Sequence, residues 1–226
     1  MNEAVAMLLR QRESLYRLLG GVYLEEPDAA RLEAMKKMEL PLDRAEGDLK
    51  EGYARLAAYL GEAGADAETV ESIAADYAGT FLAAGQAQGL AAFPYESVYR
   101  DPGRGLGGVS GAETAALYRE KGLEPDPGAF KIPSDHIGLE LSFMAHLCRQ
   151  AALALAHGNT ANYLGYMGEQ ADFLAAHLFR WYRGFCDDAR RCARTDFYRA
   201  FAGITKGFLE QEERYFEGGA GQWATE

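Results

Sequence analysis

The densest group of residues that could do chemistry is the run Pro133-Ser134-Asp135-His136-Ile137-Gly138-Leu139-Glu140. Pro133 suits the start of a helix, so Asp135 is predicted in the first turn, where a carboxylate offsets the partial positive charge of free N–H groups. His136 and Glu140 are four residues apart and therefore share a helix face. The run is compatible with a capped helix bearing a surface pair, or with a binding site at an exposed helix start.

Metal and acid–base chemistry are the sharper alternatives for the same run. As a metal site it supplies at most three mixed ligands, Asp135, His136 and Glu140, and neither an HExxH nor an ExxH motif accompanies them. As an acid–base pair it lacks a visible nucleophile or cofactor partner. We assign no catalytic residue, metal ligand or cofactor, and keep a small helical metalloenzyme as an alternative.

A second cluster is Pro94-Tyr95-Glu96-Ser97-Val98-Tyr99, inside a glycine-rich stretch. Aromatic side chains with polar tips suit a peptide-binding groove, although Tyr95 and Tyr99 could equally pin the stretch to the core. The pair His177 and Trp181, four apart on a predicted helix, indicates the edge of a packed core.

Two further patterns do not amount to sites. The run Gly103-Arg104-Gly105-Leu106-Gly107-Gly108 has no preceding strand and no following Lys-Ser/Thr, so a loop is favoured over a phosphate-binding motif. The three cysteines contain no CxxC pair, which is typical of reduced thiols.

Charge and composition narrow the function classes. The chain has 34 Asp and Glu against 23 Lys and Arg, a net charge of −11. Such a surface should repel nucleic-acid phosphates and attract a cationic peptide. A 48% hydrophobic content favours a globular protein, and no apolar run is long enough to span a membrane. The N-terminus lacks the pattern of a secretory signal, so we expect a cytoplasmic protein.

Helical periodicity dominates the chain and predicts an all-α protein, a single domain over residues 1–226. About eight helices are expected, near residues 3–24, 27–38, 44–60, 67–83, 111–121, 134–157, 159–185 and 194–216. Glycine and proline are frequent in 85–109 and 123–132, which we predict to be flexible linkers between helical halves.

Taken in order, these motifs resemble the TorD/DmsD/NarJ family of redox-enzyme maturation chaperones. The resemblance rests on the 94–99 cluster, on Tyr118 to Leu123, on the Pro133-x-Asp135-His136 element, and on the His177 and Phe197-Tyr198 pairs. It covers about residues 77–216, and the N-terminal third matches only in being helical. One departure is Ile132, where the family often has an acidic residue.

The resemblance implies an all-helical cytoplasmic chaperone without metal, cofactor or catalysis. Its partner would be the twin-arginine signal peptide or apoprotein of a molybdopterin oxidoreductase of the dimethyl-sulfoxide-reductase class, held back from export until cofactor insertion. An alternative is a nitrate-reductase-type assembly chaperone for a non-exported subunit. A monomer or a helix-swapped homodimer is expected. The expected peptide-binding residues are Tyr95, Ser97, Tyr99, Pro133, Asp135, His136 and Glu140.

Overall fold

The computed structural model describes residues 2–84, 91–101, 103, 105–123 and 132–219. Within these residues the chain forms ten α-helices and two short 3₁₀ helices, with no strand beyond one isolated bridge between Tyr95 and His136. The all-α prediction is confirmed. The helices are α1 Asn2–Leu24, α2 Ala29–Lys36, α3 Gly47–Glu62, α4 Ala67–Phe81, α5 Glu96–Arg100, α6 Gly108–Glu120, α7 Ile137–Ala156, α8 Thr160–Ala176, α9 Tyr182–Cys192 and α10 Asp196–Gly219, with the 3₁₀ helices at Leu42–Arg44 and Leu178–Arg180.

The described residues form two more α-helices than the eight that were predicted. Helix α5 lies inside the segment 85–109 predicted as a linker, and α6 begins at Gly108, so that prediction is wrong for these residues. The predicted helix 159–185 is two helices, because the backbone leaves helical geometry at His177, with φ −120° and ψ −91°. The predicted linker 123–132 lies outside the described residues except for its two ends, as do residues 85–90, 102 and 104 of the predicted linker 85–109.

The chain divides into two compact units, and the prediction of one domain stays a prediction. The first unit comprises Met1–Leu24, Tyr95–Trp181 and Tyr215–Glu226. In it, α7 packs against both α1 and α8. Glycine permits the close approach of α1 to α7, since a Cβ added at Gly20 would lie 2.9 Å from the Gly138 carbonyl oxygen.

The second unit comprises Glu25–Pro94 and Tyr182–Arg214. Its core is aromatic: the Phe81 ring lies edge-on to Tyr198 with centroids 5.2 Å apart, and Phe185 packs nearby. Helices α3 and α10 approach closely, because a Cβ at Gly207 would collide with the Leu49 backbone nitrogen at 2.1 Å.

Among the helices that the structure describes, none combines the length and the apolar character that crossing a bilayer requires.

Candidate functional site

The start of α7 is capped by a histidine. His136 is the N-cap residue, and its Nδ1 accepts a hydrogen bond from Gly138 N at 3.0 Å. Asp135 therefore lies one residue before the cap, so its predicted place in the first helical turn is wrong. The imidazole nitrogen takes the role that a serine or aspartate oxygen usually has.

Asp135 holds the segment that enters α5. Its carbonyl oxygen accepts from Glu96 N at 2.9 Å, and its Oδ2 accepts from Ser97 N at 2.8 Å. Tyr95 forms the isolated bridge to His136, and the two rings meet edge to face with centroids 5.1 Å apart. The two motifs singled out in the sequence, 38 positions apart, are thus one structure.

The same segment is tied to the start of α6. Ser97 Oγ accepts from Gly107 N at 3.0 Å. Gly107 has φ +84°, a conformation that favours glycine. A Cβ added at Gly111 would lie 3.3 Å from Asp135 Oδ1, so a side chain there would crowd the carboxylate. Asp135 therefore lies between α5, α6 and α7.

Beneath this segment lies a buried cluster of two carboxylates and a histidine, Glu96, Glu140 and His177, which we call the carboxylate cluster. One potential ligand atom from each lies within 4.8 Å of the others. His177 Nδ1 is 2.9 Å from Glu96 Oε2, and Arg100 binds Glu96 Oε1. Trp181 Nε1 donates to Glu140 Oε2 at 3.1 Å. The cluster joins α5, α7 and the turn after α8.

The predicted site is far more buried than expected. The prediction that Asp135 and His136 lie at an exposed helix start is wrong, because they are 0% and 4% exposed. Ser97 and Glu140 are also buried, whereas Tyr95, Tyr99 and Pro133 are half-buried. The physical reason is that α1 covers the start of α7, where the bare Cα of Gly138 admits it.

Burial and charge set the protonation of the site. Burial lowers the pKa of His136 to about 4, so its ring is neutral near pH 7 and its Nδ1 is free to accept a hydrogen bond. Burial alone would raise the pKa of Glu96, but the hydrogen bonds and charges of His177 and Arg100 lower it overall. Burial, with the Glu96 charge second, raises the pKa of Glu140 well above its usual range.

Exposed apolar residues lie next to the buried polar residues of the site along the chain. Val98, Leu106 and Val109 are exposed, and each is a close chain neighbour of the bonded residues 97 and 107. The Tyr99 ring packs on Trp181 with centroids 5.5 Å apart. Exposed apolar residues beside half-buried tyrosines suit contact with another protein chain. We call residues 95–99 and 105–109 the site segment.

Sequence reasoning missed part of the site. Glu96 and Arg100 carried a signal, an acid and a base four residues apart. No sequence signal indicated that His177 belongs to the carboxylate cluster, because its partner Glu96 is 81 positions away. His177 and Trp181 are buried, as the core-edge interpretation predicted. They also form hydrogen bonds with the two glutamates, His177 with Glu96 and Trp181 with Glu140.

Comparison with known proteins gives consistent matches. The family model of the nitrate reductase delta subunit matches residues 43–187. The chaperone protein TorD of Vibrio cholerae is 28% identical over 227 residues, covering 94% of this chain and 95% of that protein. The chaperone protein TorD of Shewanella loihica is 31% identical over 212 residues, covering 86% of this chain and 88% of that protein.

Proposed function

We propose that this chain, which belongs to the family of the TorD chaperones and the nitrate reductase delta subunit, binds the twin-arginine signal peptide of a molybdopterin oxidoreductase. Family membership confirms the resemblance that the motifs carry. Since the relatives are named chaperone proteins, it also confirms that the chain is a chaperone and not an enzyme. The metalloenzyme alternative is therefore set aside, and His136 Nδ1 is in any case occupied by Gly138 N.

In the full proposal the partner belongs to the dimethyl-sulfoxide-reductase class. The chaperone acts in the cytoplasm and delays export of the partner until its molybdopterin cofactor is inserted. It binds the leader, the apoprotein or both, as a monomer or a helix-swapped dimer.

The observation that carries the proposal is the combination of exposed apolar and half-buried aromatic side chains in the site segment. Exposed Val98, Leu106 and Val109 offer apolar contact, and the half-buried Tyr95 and Tyr99 add aromatic faces with polar tips. A twin-arginine leader combines a basic start with an apolar stretch. The apolar side chains suit that stretch, and the net charge of −11 favours approach of its arginines.

The predicted peptide-binding residues take two roles in this proposal. Tyr95, Tyr99 and Pro133 have accessible surface for direct contact with peptide. The others, Ser97, Asp135, His136 and Glu140, are buried and act by positioning the site segment through the bonds described above. This division replaces the expectation of seven direct contacts.

Calorimetry with a synthetic leader tests the proposal. We expect a dissociation constant in the micromolar range, about −8 kcal/mol. Added salt should weaken binding only in part, because apolar burial is not screened. Val98→Asp should weaken binding at least about tenfold. A matched control is Leu153→Asp, which alters another exposed apolar residue of the first unit.

Hydrogen exchange locates the bound peptide independently. Leader should slow exchange in 93–99 and 133–140, and α7 should be slow throughout. Protection of a different surface at saturating peptide would refute the placement of the site. Absence of binding to any leader from the source organism would count against the whole proposal.

A second candidate is supported by the matched model of the nitrate reductase delta subunit. The partner would then be a non-exported subunit that presents an N-terminal tail without an export signal. Competition separates the two: a tail lacking the arginine pair should displace the leader with similar affinity only if this candidate is correct.

A further inference from the structure

The carboxylate cluster has more carboxylate oxygens than hydrogen-bond donors to satisfy them. Glu96 and Glu140 are both 0% exposed, and their carboxylates lie within 4.8 Å of each other. Glu96 has a partner for each oxygen, Arg100 for Oε1 and His177 for Oε2. Glu140 has Trp181 on Oε2, but Oε1 is buried without a hydrogen-bond partner. Two neighbouring buried carboxylates cannot both be ionised without a large free-energy cost.

We propose that Glu140 is a carboxylic acid in the folded protein and that its proton bridges to Glu96, which makes Glu140 a positioning residue for the site segment. The acid converts Oε1 from an unpartnered acceptor into a donor group. Glu96 stays anionic because Arg100 and His177 surround it. Glu140 lies on α7 and Glu96 begins α5. The shared proton therefore links α7 to the site segment, which contains Tyr95 and Tyr99.

The neighbouring groups favour the proton on Glu140. The surrounding charged and titratable groups are Arg100 and Glu96 on α5, Tyr118 on α6, Asp135 before α7, and His177 after α8. Arg100 forms an ion pair with Glu96, so its guanidinium stabilises the negative charge of Glu96. Tyr118 and Asp135 each have a buried oxygen without a partner, and neither supplies a positive charge. The raised pKa of Glu140, caused first by burial and then by the Glu96 charge, agrees.

The consequence is a pH dependence with a defined sign. Folded Glu140 keeps a proton that the unfolded chain releases above its ordinary pKa of 4.5. The free energy of unfolding should therefore decline as pH rises above that value, until the folded group itself ionises. Ionised Glu140 would repel Glu96 and loosen the site segment, so leader binding should weaken at alkaline pH. This last step rests on the proposed function.

The test compares Glu140→Gln with wild type in denaturant unfolding between about pH 5 and pH 9. The glutamine amide donates permanently and so imitates the protonated acid. We expect Glu140→Gln to fold and to lack the decline in the free energy of unfolding that wild type shows as the pH rises above 4.5. Titration of groups that do not interact with residue 140 cancels in the difference between the two proteins. Identical pH profiles would overturn the proposal.

Two further variants and a metal titration sharpen the test. Glu96→Gln should lower stability at every pH, because it removes the anion of Arg100 and His177, while Glu140→Gln should not. Equal losses in the two variants would contradict the assignment of the proton. Addition of Zn²⁺ that raises the Tm of wild type but not of Glu140→Gln would overturn it too, because a metal ion would then occupy the place of the proton.

Peptide binding supplies the functional arm. Glu140→Ala should weaken leader binding about tenfold, and Glu140→Gln should restore it and retain it at alkaline pH. Loss of binding in both variants would refute the positioning role. If wild type binds no leader at all, the proposed function fails, while the unfolding comparison still decides where the proton lies.

Discussion

Each of the two units contains a buried aspartate, and the two differ in how completely they are bonded. In the second unit Asp76 Oδ1 accepts from Thr80 Oγ1 at 2.9 Å and Arg194 N at 2.8 Å, while Oδ2 accepts from Thr195 N at 2.7 Å and Thr195 Oγ1 at 2.6 Å. In the first unit Asp135 Oδ2 accepts one bond, from Ser97 N, and Oδ1 has no partner.

This difference in hydrogen bonding indicates a structural role for Asp76 and a role in the candidate site for Asp135. Asp76 accepts hydrogen bonds from the backbone N–H groups of Arg194 and Thr195, just before α10, and both of its oxygens have partners. Asp135 Oδ1 and the neighbouring Tyr118 hydroxyl are both buried without a partner. Such atoms reduce stability and are retained where a site needs them. The comparison therefore predicts that mutation of Asp76 causes the larger loss of stability, whereas mutation of Asp135 causes a smaller loss and also weakens leader binding.

The largest effect is expected at Asp76. Asp76→Ala removes four hydrogen bonds to one charge and should lower the free energy of unfolding by about 3–4 kcal/mol, measured by urea denaturation followed by circular dichroism. Asp76→Asn should lose roughly half as much, because one acceptor oxygen remains. A loss below about 1 kcal/mol would break the comparison.

Acid should destabilise the first unit through His136. Its folded pKa of about 4 lies below its ordinary value of 6.5, so the unfolded chain binds the proton first as the pH falls. The contribution of His136 to stability is complete above pH 6.5 and is lost progressively toward pH 4, by at most about 3 kcal/mol. Protonation of Nδ1 also breaks the bond from Gly138 N.

Denaturation between these two pH values measures the effect of His136. His136→Asn keeps a capping oxygen but does not titrate, so its stability should vary less over the same window. A variant that follows the wild-type profile would show that another group is responsible for the acid sensitivity.

A moderate effect is expected at Asp135. Asp135→Ala should lower stability by about 1–2 kcal/mol and weaken leader binding, because Ser97 N loses its acceptor. Asp135→Asn should restore most of both, since its carbonyl can accept that bond and its amide can occupy the position of the unpartnered Oδ1. If Asp135→Asn binds leader as poorly as Asp135→Ala, the charge itself contacts the peptide and the positioning role is wrong.

The smallest effect is expected at Ser97. Ser97→Ala removes the acceptor of Gly107 N and should lower global stability by about 1 kcal/mol or less. Its local consequence should be clearer, with faster hydrogen exchange over 105–109. Ser142→Ala is a matched control, because that hydroxyl donates to a helix carbonyl, Gly138 O, and lies outside the site segment. Equal exchange rates in 105–109 for both variants would contradict the link between α5 and α6.

The sequence by itself determined the all-helical fold, most of the helices and the location of the two motifs. Apolar residues at 3.6-residue spacing identify α1, α3, α4, α7 and α10, since that spacing depends only on local geometry. The clusters at 94–99 and 133–140 stood out by composition, and their order along the chain indicated the family. Local signals failed at α5, whose five residues follow a glycine-rich stretch, and at His177, where no glycine or proline marks the end of α8.

Only the tertiary structure decided which of these polar residues are buried and what they bind. Ser97 meets Asp135 across 38 positions and Glu96 meets His177 across 81, and no periodicity encodes either pairing. His136 and Glu140 share a helix face, as their spacing predicted, yet α1 covers the start of α7 because Gly20 and Gly138 allow the two backbones to approach. The burial that shifts the pKa values of His136 and Glu140 is thus a product of packing, and a residue's environment depends on distant parts of the chain.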